Sequence, residues 1–296
     1  MREMRDNGME SRMESRMESR MDSRKNNKSA RPKGKLRNYI RTPKVYLFAV
    51  LFSLLVVTSF ATNIQHGLLN IGVSILTAIV IDFTVMAVFR RKYKFPDGGV
   101  LTGIIVGLVV SRFFPWQLAA ATTAIAVLSK HILKVKRMPV FNPAAFGLLV
   151  SILLFSSMQD WWGGLSVLPA WCIVFLLLGG ILLTRRINKF PQVLSFLGVY
   201  YTILLLLGIW NVIDVSGLYR MPLINSTLFL SFFMLTDPPT SPVKAGQQVI
   251  FGTIAAVGSI AAYYFTGGLA FLLAGLLLAN LWNARKLVRQ KRMIQA

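Results

Sequence analysis

Arg90-Arg91-Lys92-Tyr93-Lys94-Phe95-Pro96-Asp97-Gly98-Gly99 is a basic cluster that runs into a Pro/Gly turn, with long uncharged apolar blocks on both sides. Such blocks recur from Val45 to Trp282, and they approach the roughly 20 apolar residues that cross about 30 Å of hydrocarbon. They are continuous rather than periodic, so they do not read as the striped helices of a soluble core. With 54% apolar residues and a mean hydropathy of +0.57, the 296-residue chain reads as an all-α polytopic membrane protein.

The blocks predict ten helices, at about 45-62, 67-89, 97-112, 116-132, 140-156, 165-184, 192-210, 222-236, 247-264 and 267-283. With the N-terminus inside, 31 of the 33 Lys and Arg residues fall in the tails or inner loops, and only Arg112 and Arg220 fall outside. This alternation is the positive-inside pattern, and it implies an even number of spans in a plasma membrane with both termini cytoplasmic. The organisation expected is a disordered basic tail over 1–44, a membrane domain over 45–284 and a basic C-terminus over 285–296. In the tail, Ser11-Arg12-Met13-Glu14 recurs as Ser15 to Glu18 and Ser19 to Asp22, which would stack Arg12, Arg16 and Arg20 on one side of any helix.

The net charge of +22 is no nucleic-acid signal, because the basic residues sit in short inner loops where lipid headgroups and insertion bias account for them. The single cysteine, Cys172, excludes a disulfide framework and a zinc site, and leaves this chain unable to ligate an iron–sulfur cluster alone. His66 and His131 lack metal-pair spacing and read as interfacial, so no metal site is expected. Hydrolase, kinase and dinucleotide signatures are missing from the sequence.

Three proline-bearing polar loops on the inner side are the candidate site: Phe95 to Gly99, Phe141 to Gly147, and Thr236-Asp237-Pro238-Pro239-Thr240-Ser241-Pro242. Irregular backbone at membrane depth is tolerated where it is buried in protein or lines a cavity. In Phe141-Asn142-Pro143, the proline suits a first helical turn and Asn142 falls at the N-cap; capping alone explains Asn142. Phe141, Phe146 and Gly147 would also offer a planar ligand an aromatic surface and a close backbone approach. Asp97, beside Gly98 and Gly99, and Asp237, between Thr236 and Pro238, either cap helices or pair with Lys94 or Lys244, while the hydroxyls of Thr236, Thr240 and Ser241 around Asp237 are dense enough to bind a ribityl chain, a phosphate or a hydrated cation.

Asp82 lies inside the second span and is either a proton or cation carrier or a structural carboxylate bonded to Ser or Thr on a neighbouring helix. The third and eighth spans are short, which points to a site of discontinuous helices, although Gly103 and Gly107 are also spaced for close helix packing. The run Arg90 to Pro96 echoes Arg185 to Pro191, which suggests either duplication or the shared character of basic membrane borders.

Phe95 to Ser111, Ser129 to Gly147, Arg185 to Leu197 and Met221 to Asn280, with Thr236-Asp237-Pro238 and Leu277-Leu278-Ala279-Asn280, resemble the flavin-carrying membrane subunits RnfD, of the Rnf electron transport complex, and NqrB, of the sodium-pumping NADH:quinone oxidoreductase. The resemblance implies a urea-transporter-like fold of two inverted five-helix halves, and a membrane component that relays electrons across the bilayer, in some members with sodium or proton movement. It implies flavin contacts at Asn142 and Pro143 and an inner motif at Thr236, Asp237 and Pro238.

Two departures matter. Family members carry a long outer loop with a threonine joined to FMN, whereas no threonine occurs here between Thr123 and Thr184. Pro139 also stands where the family often has an asparagine. The expectation is a non-covalent flavin, riboflavin or FMN, with the covalent FMN on another protein. Expected partners are the bilayer, an NADH- or ferredoxin-linked cytosolic dehydrogenase and an extracytoplasmic FMN-binding flavoprotein, with Trp161 and Trp162 anchoring the outer interface or shaping that partner's docking surface. The competing reading is a small-solute or ion transporter on the same fold.

Overall fold

Among the described residues, ten helices cross or enter the bilayer region: α1 (Pro43–Thr58), α2 (Ile64–Val88), α3 (Asp97–Val109), α4 (Trp116–Ile132), α5 (Pro143–Phe155), α6 (Ile173–Ile187), α7 (Phe190–Ile209), α8 (Met221–Phe229), α9 (Ala245–Thr266) and α10 (Ala270–Gln295). They come from a computed structural model that describes residues 42–295 apart from 61–63, 91–92, 94, 136–137, 167, 213 and 267–269. The expected basic tail, with Arg12, Arg16 and Arg20, lies almost wholly outside the described residues, as do Arg91, Lys92, Lys94, Lys136 and Arg137. The compact unit is Tyr46–Ala296.

Five of the helices are long and apolar enough for a full crossing, and most of their outward residues are aliphatic or aromatic. On α6 and the turn before it, Trp171, Val174, Phe175, Leu178, Ile181 and Leu182 share one exposed face, which only a lipid-like solvent leaves unpenalised. The chain is a multi-pass membrane protein.

The predicted helices all appear, with instructive differences at their ends. One short hairpin among the described residues interrupts the all-helical expectation, pairing β1 (Lys134–Val135) with β2 (Met138–Pro139). Helix α5 starts at Pro143 rather than 140, because Asn142 caps it. Helix α6 starts at Ile173 rather than 165: residues 156–172 are spent on a folded loop with two single 3-10 turns, Trp162–Gly164 and Ala170–Cys172. Helix α8 passes into a π-helical turn, Leu230–Met234, and ends at the 236–242 loop.

Glycines set how closely the helices approach. A Cβ on Gly103 would stand 2.7 Å from the Ser74 carbonyl oxygen, and one on Gly107 would stand 2.8 Å from the Ile71 Cα, so α3 lies antiparallel on α2 with backbones in contact. The packing function of these two glycines is therefore the one the structure uses. Gly147 seats α5 on Thr122 and Ala126 of α4, and Gly275 seats α10 on Ala255 and Ser259 of α9, in each case against two residues four apart. In this way α2 packs on α4 and α4 on α5, as α7 packs on α9 and α9 on α10. The contacts recur at a spacing of five helices. The Arg90 and Arg185 echo instead pairs α2 with α6, and although α2 lies along α3, α6 and α7 barely touch.

Candidate functional site

Two of the shorter helices, α3 and α8, each end in carbonyls that a helix terminus leaves without partners. Their neighbours supply the donors. Asn70 on α2 donates through Nδ2 to the carbonyls of Ser111 (3.3 Å) and Phe114 (3.1 Å) just past α3. Gln192 on α7 donates through Nε2 to the Leu235 carbonyl at 2.5 Å, just past α8.

The end of α8 is where two of the three candidate loops meet. The Asn142 side chain accepts from the Ala145 N–H (3.1 Å), which is the N-cap geometry read from the sequence, and its Nδ2 donates to the Met234 carbonyl (3.0 Å). The Asn142 backbone N–H donates to Asn280 Oδ1 at 2.8 Å. Asn280 and Asn283 both donate to the Thr240 carbonyl, at 3.4 and 3.0 Å. Within the loop, Thr240 Oγ1 donates to Asp237 Oδ2 (2.9 Å), and Thr236 bonds back to the Phe232 carbonyl (2.6 Å). The result is a buried polar seam joining α5, α8, α10 and the 236–242 loop.

Lys189, at the junction of α6 and α7 and almost wholly buried, donates to Ser241 Oγ at 2.9 Å and to the Pro242 carbonyl. Burial pulls its ammonium down to about 8, and the Asp237 charge opposes that pull. An unfolded lysine holds its proton to about 10.5, so the unfolded chain binds more protons between these values and stability rises with pH across that window. Thermal unfolding in detergent should therefore show wild type gaining on Lys189→Met from about pH 8 to 10.5, by up to about 1.4 kcal/mol per pH unit. A gap that is flat or narrows would contradict this assignment.

The third loop goes elsewhere. Gly98 donates its N–H to Asp97 Oδ1 at 2.9 Å, and a Cβ on Gly99 would collide with the Asp82 carboxylate. Asp82 is 4% exposed and contacts Lys130 Nζ and His131 Nε2, both at 2.6 Å. The structural alternative for Asp82, a bond to Ser or Thr, is replaced by an ion pair and an imidazole. His131, expected at the interface, is drawn inward against that carboxylate.

The opposite end of α3 carries the largest correction. Trp161 and Trp162 are fully buried, neither interfacial anchors nor a docking surface. Trp162 Nε1 donates to the carbonyls of Gly107 (2.9 Å) and Val110 (3.2 Å), closing the end of α3. Backbone bonds from Ser111 N–H to the Met158 carbonyl (3.0 Å) and from Trp161 N–H to the Val109 carbonyl (3.2 Å) hold the loop there. Trp161 meets Phe229 edge-on at 6.2 Å between ring centres. Asp160 lies beside Arg112 at 3.6 Å, and burial still pushes its carboxyl above the usual range. Left-handed backbone at Ser156, Trp161 and Leu165 lets this short loop fold inward as a plug.

The packed residues of the Asn142 seam do not fit a flavin. The Asn142 amide is engaged at both ends, Phe141 and Phe146 stack on each other at 5.5 Å, and the bare face of Gly147 is filled by α4. A cleft of about 680 Å³ lies away from these residues, among Leu205, Gly208, Asn211, Asp214 and Tyr219. Among the described residues, no group of three His, Cys, Asp or Glu side chains could hold a metal. Lys189 and Gln192 lie in the 185–197 stretch that carries the resemblance but were given no role in the site, Asn280 entered only through the resemblance, and Asn283 was not singled out. Their signal is plain in retrospect: each is a polar side chain set within or at the border of an apolar span.

Fold and seam together define a polytopic helical membrane protein with short, capped helices and a buried polar junction at one end. The NQR2, RnfD, RnfE family model matches residues 157–285, a segment that holds Thr236-Asp237-Pro238 and Asn280. The D-type component of the ion-translocating oxidoreductase complex of Methanosarcina acetivorans is 24% identical over 231 residues, covering 71% of this chain and 77% of that protein. The two findings agree in what the chain is similar to: the RnfD type of membrane subunit.

Proposed function

We propose that this chain is the membrane subunit of an ion-translocating oxidoreductase complex in the plasma membrane, with both termini cytoplasmic. The observation that carries the reading is that Thr236-Asp237-Pro238 and Asn280 lie inside the family-matched segment and are the residues that build the buried seam with Asn142. The five-helix recurrence, with a short third helix in each set, supports two inverted halves in a urea-transporter-like arrangement. The proposed organisation keeps a basic tail over 1–44, a transmembrane electron-transport domain over 45–284 and a basic C-terminus over 285–296, into which α10 continues as far as Gln295.

Electron relay through a non-covalent flavin is the finer part of the proposal. Its support is the resemblance, together with a 156–165 loop that has no threonine and is folded into the core. Residues 141–147 as packed provide no cradle, and no electron-transfer step is derived through them. Asp82 is the ion-coupling candidate because it is the buried carboxylate within a span. A solute channel is less well supported: the polar groups of the seam satisfy one another instead of lining a passage.

The proposed partners are a cytosolic NADH- or ferredoxin-linked dehydrogenase and an extracytoplasmic FMN-bearing flavoprotein. Extraction of the tagged chain from its own membrane in mild detergent is expected to bring both along. A chain that emerges alone from gentle extractions, at its own mass of 33.1 kDa, would contradict the assignment.

A further inference from the structure

We propose that the ion handled at Asp82 is a proton, loaded through His131, and not a sodium ion. The inference rests on the ion-translocating reading above and concerns which ion this site can take. Asp82 holds two partners at 2.6 Å: Lys130 Nζ on Oδ2 and His131 Nε2 on Oδ1. A hard cation such as sodium requires a shell of oxygen donors. Here both oxygens of the carboxylate are taken by an ammonium and an imidazole N–H, which donate and do not ligate. Seating sodium would mean expelling both and leaving a lysine charge beside the metal.

A proton needs no such shell. His131 Nδ1 is enclosed and has no hydrogen-bond partner. With Nε2–H donating to Asp82, the neutral tautomer leaves Nδ1 as a bare acceptor, the less costly way to bury an unpaired ring nitrogen. A proton from the aqueous phase at the basic end bonds to Nδ1. The Nε2–H bond then breaks toward Asp82 Oδ1, 2.6 Å away, leaving a neutral imidazole carrying Nδ1–H and a neutral Asp82 carboxylic acid.

Lys130 thereby faces a neutral acid in place of a carboxylate, so loading is tied to a weaker hold of α4 on α2. Gly99 sits against the same carboxylate, with Lys130 Nζ 3.2 Å from where its Cβ would be, so the head of α3 feels the change directly. Among the described residues, Asp97 on α3, Arg90 just after α2 and Lys134 on β1 are further charged groups at this end. None of them replaces the direct carboxylate contact of His131.

The test uses native membrane vesicles containing the whole complex, driven by its electron donor, with a pH-sensitive dye and ²²Na⁺ recorded in parallel. Expected are proton uptake that persists in sodium-free buffer, and a fall in the protons taken up per electron transferred in Asp82→Asn and His131→Gln. Donor-driven ²²Na⁺ uptake that Asp82→Asn abolishes, or proton uptake unchanged in both variants, would overturn the proton assignment. No electron transfer in wild-type vesicles containing the assembled complex would instead overturn the reading on which it rests.

Because either variant could assemble poorly, a second measurement uses wild type alone: infrared difference spectroscopy of the Asp82 carboxyl at fixed pH. No shift on replacing potassium by sodium supports the proton. A sodium-dependent shift, assigned by its loss in Asp82→Asn, overturns it.

Discussion

Trp162→Ala should be among the most destabilising substitutions in the helical unit, lowering stability by about 3–5 kcal/mol through the lost ring volume alone. The ring is fully buried, and its Nε1–H serves two carbonyls at the end of α3. A 13-residue helix spans only about 20 Å at 1.5 Å per residue, well short of the hydrocarbon thickness. The plug fills the space that α3 does not reach, so removing one of its two buried tryptophan rings opens a cavity and strands polar backbone at membrane depth. Trp162→Phe keeps most of the bulk and loses the donor, so its expected cost is smaller, about 1–3 kcal/mol. Thermal unfolding in mild detergent separates the cases, with the 67% exposed Trp210 as control. If Trp162→Ala cost no more than Trp210→Ala, the plug would not be structural.

Asn142→Ala has the second large expected effect, about 2–4 kcal/mol, from loss of an N-cap and of a donor to a buried carbonyl. The two bonds run to Ala145 N–H and the Met234 carbonyl, and the site is 3% exposed, so water cannot readily replace them. Asn142→Asp retains the acceptor for Ala145 but sets a carboxylate oxygen against the Met234 carbonyl, and should be less stable than wild type. Unfolding measured for the three proteins would contradict the seam if aspartate were as stable as wild type or alanine were neutral.

These two residues also mark how far the sequence could be read. The Asn-Pro pair announces a cap from local chemistry, and its role in starting α5 was legible. Its link to Asn280 was not, because the bond joins residues 138 positions apart and no local pattern encodes such a pairing. The helix count was legible because uninterrupted apolar runs and alternating basic loops are direct consequences of a bilayer. Trp161 and Trp162 misled for a physical reason: a tryptophan at the end of an apolar run suits either a membrane interface or a buried donor, and only the fold of the plug decides. Likewise His131 stood among basic residues at a predicted border, and its draw toward Asp82, 49 positions earlier, depends on how α4 crosses α2.

On the proposed reading, this RnfD-like chain serves a membrane redox complex and holds any flavin it carries without a covalent bond. The visible spectrum of the protein purified from its own membrane in mild detergent, followed by acid precipitation and mass spectrometry of the supernatant, tests both points at once. A flavin spectrum is expected, with all of the flavin of this chain released into the supernatant. Colourless preparations with no released flavin, or flavin that stays bonded to the denatured chain, would contradict it.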